Sequence, residues 1–100
     1  MKNMGYSLRY LPLAMHDISD IDEYLSRFYP STAAKFFTEL QKHLKTLISA
    51  PEIGEAYGQY RRLVVQKYLV FYKINYEEQV VDVYRVLRGS IDVEKQIVRE

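Results

Sequence analysis

Residues 59 to 89 read QYRRLVVQKYLVFYKINYEEQVVDVYRVLRG, and the way this run divides decides the fold. Valine, leucine, tyrosine and phenylalanine dominate it, residue types that fit a pleated, half-buried surface. It divides into 59–65 (QYRRLVV), 67–75 (KYLVFYKIN) and 79–89 (QVVDVYRVLRG). The breaks, at Gln66 and around Tyr76 to Glu78, are too short for a crossover, so neighbouring strands must run antiparallel. In the middle strand Leu69 and Phe71 point one way while Val70, Tyr72 and Ile74 point the other. Simple alternation in the last strand sets Val81, Val83 and Leu87 against Val80, Tyr84 and Val86. Both faces of the sheet are apolar, and one must meet the C-terminal segment, another chain or solvent.

Upstream the period changes. Residues 5–11 (GYSLRYL) alternate as a short strand that Pro12 stops. Ala14, Ile18, Ile21, Leu25 and Phe28 then form one helical stripe. The acidic residues of DISDIDE (17–23) lie early in this helix, where the helix dipole favours them. Pro30 interrupts the pattern and suits the first turn of a second helix. That helix carries Ala33, Phe37, Leu40, Leu44 and Leu47 on one face and Lys35, Glu39, Lys42 and Lys45 on others. It should stop near Ala50, because Pro51 disfavours helical geometry just before it.

PEIGEAYG (51–58) reads as a loop, and Ser90 would cap a short final helix with Ile91, Ile97 and Val98 inward. The expected order is β-α-α-β-β-β-α. This is an α+β fold in one domain over residues 1–100: an N-terminal strand, a helical hairpin, a three-stranded antiparallel meander completing one sheet, and a C-terminal helix.

Composition bounds the function. One hundred residues supply one core, and 48% hydrophobic with 27% charged residues is globular composition. No apolar run is long enough to cross a bilayer, and no signal-peptide pattern opens the chain. Zero cysteines excludes disulfides and thiolate metal sites and fits a cytoplasmic location. His16 and His43 lie on different helices without ligand spacing, and Gly54 and Gly58 do not make a phosphate-binding loop, so no metal or other cofactor is expected. A net charge of +1 gives the whole molecule little attraction to nucleic acid.

The charges are unevenly spread. Tyr60, Arg61, Arg62, Lys67, Tyr68, Tyr72, Lys73, Tyr84, Arg85 and Arg88 combine cations with aromatic rings on the strands. Cations can stabilise a phosphate transition state, and rings can stack on an unpaired base. The same residues also serve structure: basic side chains discourage edge-to-edge pairing, and tyrosine is an ordinary strand former. Glu52 and Glu55 are loop carboxylates, available as a base or simply solvated. Arg85 shares strand parity with Val81, Val83 and Leu87, which assigns it a pairing role within the fold. Arg88, at the strand's exposed end, is the better candidate for contact with a partner.

The order of elements, with PEIGEAYGQYRRLVVQKYLVFYKI (51–74) and VVDVYRVLRGSID (80–92), resembles the RelE/ParE superfamily of bacterial toxins. That family shows a Pro-Glu-x-Gly loop, an Arg-Arg pair, a Tyr-x-x-x-Tyr strand and a closing strand ending near Arg-Val-x-His-Gly-x-Arg-Asp. Here these are Pro51 to Gly54, Arg61 and Arg62, Tyr68 to Tyr72, and Arg85 to Asp92. The resemblance implies a growth-inhibiting toxin of a type II toxin-antitoxin system, neutralised by a cognate antitoxin. RelE-like members cut mRNA on the ribosome, and ParE-like members poison DNA gyrase. For a nuclease, Tyr84 would be the acid, with Arg61 and Arg88 on the phosphate. Target or antitoxin contacts would fall to Arg61, Arg62, Lys67, Tyr68, Tyr72, Lys73, Arg85 and Arg88.

The sequence departs from the closing motif twice, with Arg88 where histidine is frequent and Ile91 where arginine is frequent. Losing the histidine removes the group best suited to proton transfer near neutral pH. The reading is therefore ParE-like, with the mRNA endonuclease, or a decayed toxin that only binds antitoxin, as alternatives.

Overall fold

The structure is a computed structural model and describes residues 5–89. Strand β1 (Ser7–Tyr10) leads into helices α1 (Pro12–Phe28) and α2 (Pro30–Ser49). A single 3-10 turn, Pro51–Ile53, precedes strands β2 (Glu55–Tyr57), β3 (Tyr60–Val65), β4 (Tyr68–Asn75) and β5 (Val80–Arg88). The five strands form one sheet in the order β1-β5-β4-β3-β2, antiparallel except that β1 lies parallel to β5. The helix expected from Ser90 lies outside the described residues.

Prolines punctuate the hairpin as the sequence required. Pro12 and Pro30 each sit in the first turn of a helix, where their missing N–H costs nothing. One face of the sheet packs under the helices. Leu25, Ala33, Phe36, Leu40, Leu44 and Leu47 meet Val65, Tyr68, Val70, Tyr72, Val81, Val83 and Val86 there. Phe36, rather than Phe37, is the fully buried ring of α2, seated 4.6 Å from Tyr68, while Phe37 packs at the margin. The stripe of α1 ends at Leu25: Phe28, in the last position of the helix before the chain turns at Tyr29, is 57% exposed.

Two strand-level expectations change. Glu55–Tyr57 is a strand instead of loop, pairing with Tyr60–Arg62 across the tight turn at Gly58 and Gln59. Gly58 takes a φ of 62°, a conformation that glycine adopts without steric cost. The meander therefore has four strands.

The second change is a bulge in β5. Ile74 pairs with Val81 and Tyr72 with Val83, but Phe71 pairs with Arg85, so Tyr84 is skipped. One extra residue reverses which side chains face the helices beyond it. Val86 accordingly joins the core beneath the helices, and Leu87 joins Tyr57, Tyr60 and Phe71 in a second cluster on the far face. Simple alternation had these two exchanged.

Candidate functional site

Arg85 sits in the bulge, and its guanidinium reaches α1. Its Nε donates to Asp17 Oδ2 at 2.7 Å and its Nη2 to Oδ1 at 2.9 Å. Asp17 Oδ2 also accepts the backbone N–H of Val86 at 2.9 Å. The Arg85 and Asp17 side chains are only 15% and 10% exposed. The charge-assisted bond that Arg85 donates to Asp17 pushes the Arg85 pKa above its already high ordinary value. Asp17 was visible in the sequence only as part of an acidic run. Its spacing held the missed signal, since it lies three residues after Ala14 and four before Ile21, on the apolar stripe. The first turn of α1 holds no acidic residue, so this partner explains Asp17 better than the helix dipole does.

Arg61 and Tyr72 hold the turn at 51–54. Arg61 Nη1 donates to the carbonyls of Gly54 (2.7 Å) and Glu52 (3.3 Å). The Tyr72 hydroxyl donates to Pro51 O at 2.7 Å and accepts the Gly54 N–H at 2.8 Å. Burial of the Tyr72 ring pushes its phenol above the ordinary value. Gly54 must lack a side chain, since a Cβ there would lie 2.8 Å from the Tyr72 ring and 2.9 Å from Arg62 O. Beside this turn Tyr76 donates to Glu52 at 2.5 Å, and that bond holds the Tyr76 phenol above its usual range.

The far face gathers cations over rings. Arg62 lies 4.8 Å above the Tyr57 ring and pairs with Glu55 at 2.9 Å. Lys73 lies 4.9 Å from the Tyr60 ring and donates to Gln59 at 2.9 Å. Tyr60 and Tyr84 stack at 4.8 Å with 14° between their planes. Tyr57 and Phe71 pack at 5.3 Å. Tyr57, Tyr60, Phe71 and Leu87 are all buried. Tyr57, which sequence reasoning left in a loop, supplies one of the two cation-bearing rings.

Lys67, Tyr68 and Arg88 lie at the other end of the sheet. Tyr68 and Arg88 face each other across β4 and β5, and Gly89 N–H donates to Lys67 O at 2.8 Å. Arg61 is registered to Tyr72, four positions along β4 from Tyr68, which separates it from Arg88 by about 13 Å of strand. The ten cationic and aromatic candidates occupy four places: the bulge, the 51–54 turn, the far face and the Arg88 end, the second and third adjoining where Tyr60, Arg61, Tyr72 and Lys73 line one pocket. Arg61, Tyr84 and Arg88 fall in three different ones.

The fold has solved counterparts. The chromosomal ParDE TA system from P. aeruginosa superposes with a TM-score of 0.68 at 16% identity, over 85% of this chain and 97% of that one. The toxin-antitoxin complex RelBE2 from Mycobacterium tuberculosis gives 0.63 at 18%, over 85% and 99%. The intact E. coli RelBE toxin-antitoxin complex gives 0.60 at 20%, over 86% and 99%. At these identities the likeness establishes the fold alone.

The family follows from the sequence match. The ParE toxin family of type II toxin-antitoxin systems, parDE, matches residues 8–93, and the chain belongs to that family. No curated protein matches it. Among the described residues no helix is long and apolar enough to cross a membrane.

Proposed function

We propose that this ParE-family toxin acts in the cytoplasm, inhibits DNA gyrase by binding it, and is neutralised by a cognate antitoxin. Membership of the ParE family is the observation that carries this reading. Side-chain chemistry supports it. RNA cleavage needs a base, an acid and cations gathered about one phosphate. Here Arg61 and Tyr72 are hydrogen-bonded to backbone groups at 51–54, and Arg85 is paired with Asp17. Position 88 carries a guanidinium in place of the imidazole frequent there in the superfamily, the group best suited to proton transfer. A binding toxin needs only an exposed, complementary surface.

The likeness to solved toxin-antitoxin complexes supports an antitoxin partner. An acidic amphipathic segment laid along the far face would meet Lys73, Arg62 and Val64, the last 60% exposed.

A second reading, a ribosome-dependent mRNA endonuclease, draws on the stack of Tyr60 and Tyr84 beside Lys73, an arrangement suited to an unpaired base. Purified toxin added to gyrase and supercoiled plasmid separates the two. Inhibited supercoiling or trapped DNA cleavage is expected, with programmed ribosomes leaving their mRNA uncut. Untouched gyrase with cut mRNA would replace the proposal by the second reading.

A further inference from the structure

The bend between α1 and α2 overhangs one end of the sheet and encloses a cleft of about 610 Å³. Leu25, Phe36 and Tyr68, all buried, form its apolar floor. Tyr24 and Tyr29 form a wall, 46% and 53% exposed, with their ring centroids 6.0 Å apart. Lys67 and Arg88 complete the lining, and both are exposed. Neither cation has a carboxylate partner among the described residues, whereas Arg9, Arg27, Arg62 and Arg85 all do.

We propose that this cleft is a docking site for a protein segment that inserts one bulky apolar side chain and lays carboxylates across Lys67 and Arg88. Each half of that ligand answers a feature of the cleft. Two exposed tyrosines over an apolar floor are the kind of amphipathic, rigid surface that anchors a buried side chain at an interface. Two exposed cations at the mouth, with no carboxylate beside them among the described residues, gain from an acidic partner and repel a basic one. The anchor supplies affinity, and the flanking charge supplies specificity and a fast encounter.

A nucleotide fits this cleft less well. The Tyr24 and Tyr29 rings are tilted by 52°, so they do not form the parallel slot that a base would enter. The Gly89 N–H, next to Arg88, is already donated to Lys67 O, and the described residues lining the cleft include no glycine to cradle a phosphate. Arg88 thereby has a role that needs no proton transfer. The cleft is separate from the far face, and the inference holds whether the toxin's target is gyrase or the ribosome.

The test is an NMR titration of the full chain with the capped hexapeptide acetyl-Asp-Glu-Leu-Phe-Glu-Asp-amide. Saturable shifts are expected at Tyr24, Tyr29, Gln66, Lys67 and Arg88. Affinity should fall at least tenfold when Asn and Gln replace the acids, and again when Ser replaces Leu and Phe. The Lys67→Glu/Arg88→Glu double variant should lose binding with an otherwise unchanged spectrum. Should that variant not fold, Tyr29→Ser, at an exposed position, must show the same loss. Shifts centred on Tyr57, Tyr60 and Phe71, or no saturable shift, would overturn the proposal. So would a thymidine pentanucleotide that binds the cleft more tightly than the peptide.

Discussion

Asp17 and Arg85 stand 68 positions apart in the chain and meet through two hydrogen bonds, of 2.7 and 2.9 Å, in a nearly enclosed site between α1 and β5. The same carboxylate accepts the Val86 N–H, so it fixes both the guanidinium and the strand just beyond the bulge. Removing either side chain breaks the pair and leaves a nearly buried charge without its counterion. Asp17→Ala and Arg85→Ala should each lose about 3–5 kcal/mol in urea denaturation, the usual cost of breaking a buried pair on one side. A loss below about 1 kcal/mol would mean that the pair is solvated, as surface ion pairs are.

Arg88 behaves differently because nothing in the described fold depends on its charge. Arg88→Ala should abolish growth inhibition in induced cells while leaving the melting temperature nearly unchanged. Loss of toxicity accompanied by a collapse in melting temperature would assign Arg88 to the fold instead.

Tyr72 predicts a pH dependence at the alkaline end. Burial raises its phenol pKa in the folded state above the ordinary value of about 10. The folded chain therefore holds this proton more tightly than the unfolded chain does. The resulting stability is complete below about pH 10 and is lost as pH rises through the folded pKa. Tyr72→Phe leaves Pro51 O and Gly54 N–H without their partner and should cost about 1–3 kcal/mol at neutral pH. The gap between wild type and Tyr72→Phe should narrow above pH 10, measured by denaturation at pH 7 through 11. A constant gap would contradict the assignment.

Gly54 is required by proximity, since its backbone is extended at φ −73°. Gly54→Ala should therefore destabilise the chain, by about 1–3 kcal/mol as for an overpacked site. Tyr72→Phe should partly relieve it, because the hydroxyl is the first obstacle a methyl would meet. Additive costs in the double variant would place the strain elsewhere.

Much of this fold was legible from periodicity. The alternation of β4 assigned Val70 and Tyr72 to one face and Leu69 and Phe71 to the other, and both clusters follow it. Pro30 marked the start of α2, and Pro12 the end of β1. What escaped was irregular or distant. The bulge at Tyr84 has no sequence signature of glycine or proline, so Val86 and Leu87 were read onto each other's faces. Phe36 and Phe37 are adjacent aromatic residues, and only the packed sheet decides which turns inward. A pairing role for Arg85 could be inferred from its place in an apolar strand, but its partner could not, because Asp17 is brought to it by the helical hairpin. The cleft at the bend was invisible for the same reason: Tyr24, Tyr29, Lys67 and Arg88 come from three separate segments.

The central claim, inhibition of gyrase by binding, is tested most directly in cells induced to make the toxin without an antitoxin. DNA breaks at gyrase sites and ribosomal mRNA cleavage are followed in the same culture. Gyrase-dependent breaks and an SOS response with intact mRNA are the predicted result. Codon-linked mRNA cuts with undamaged DNA would contradict it.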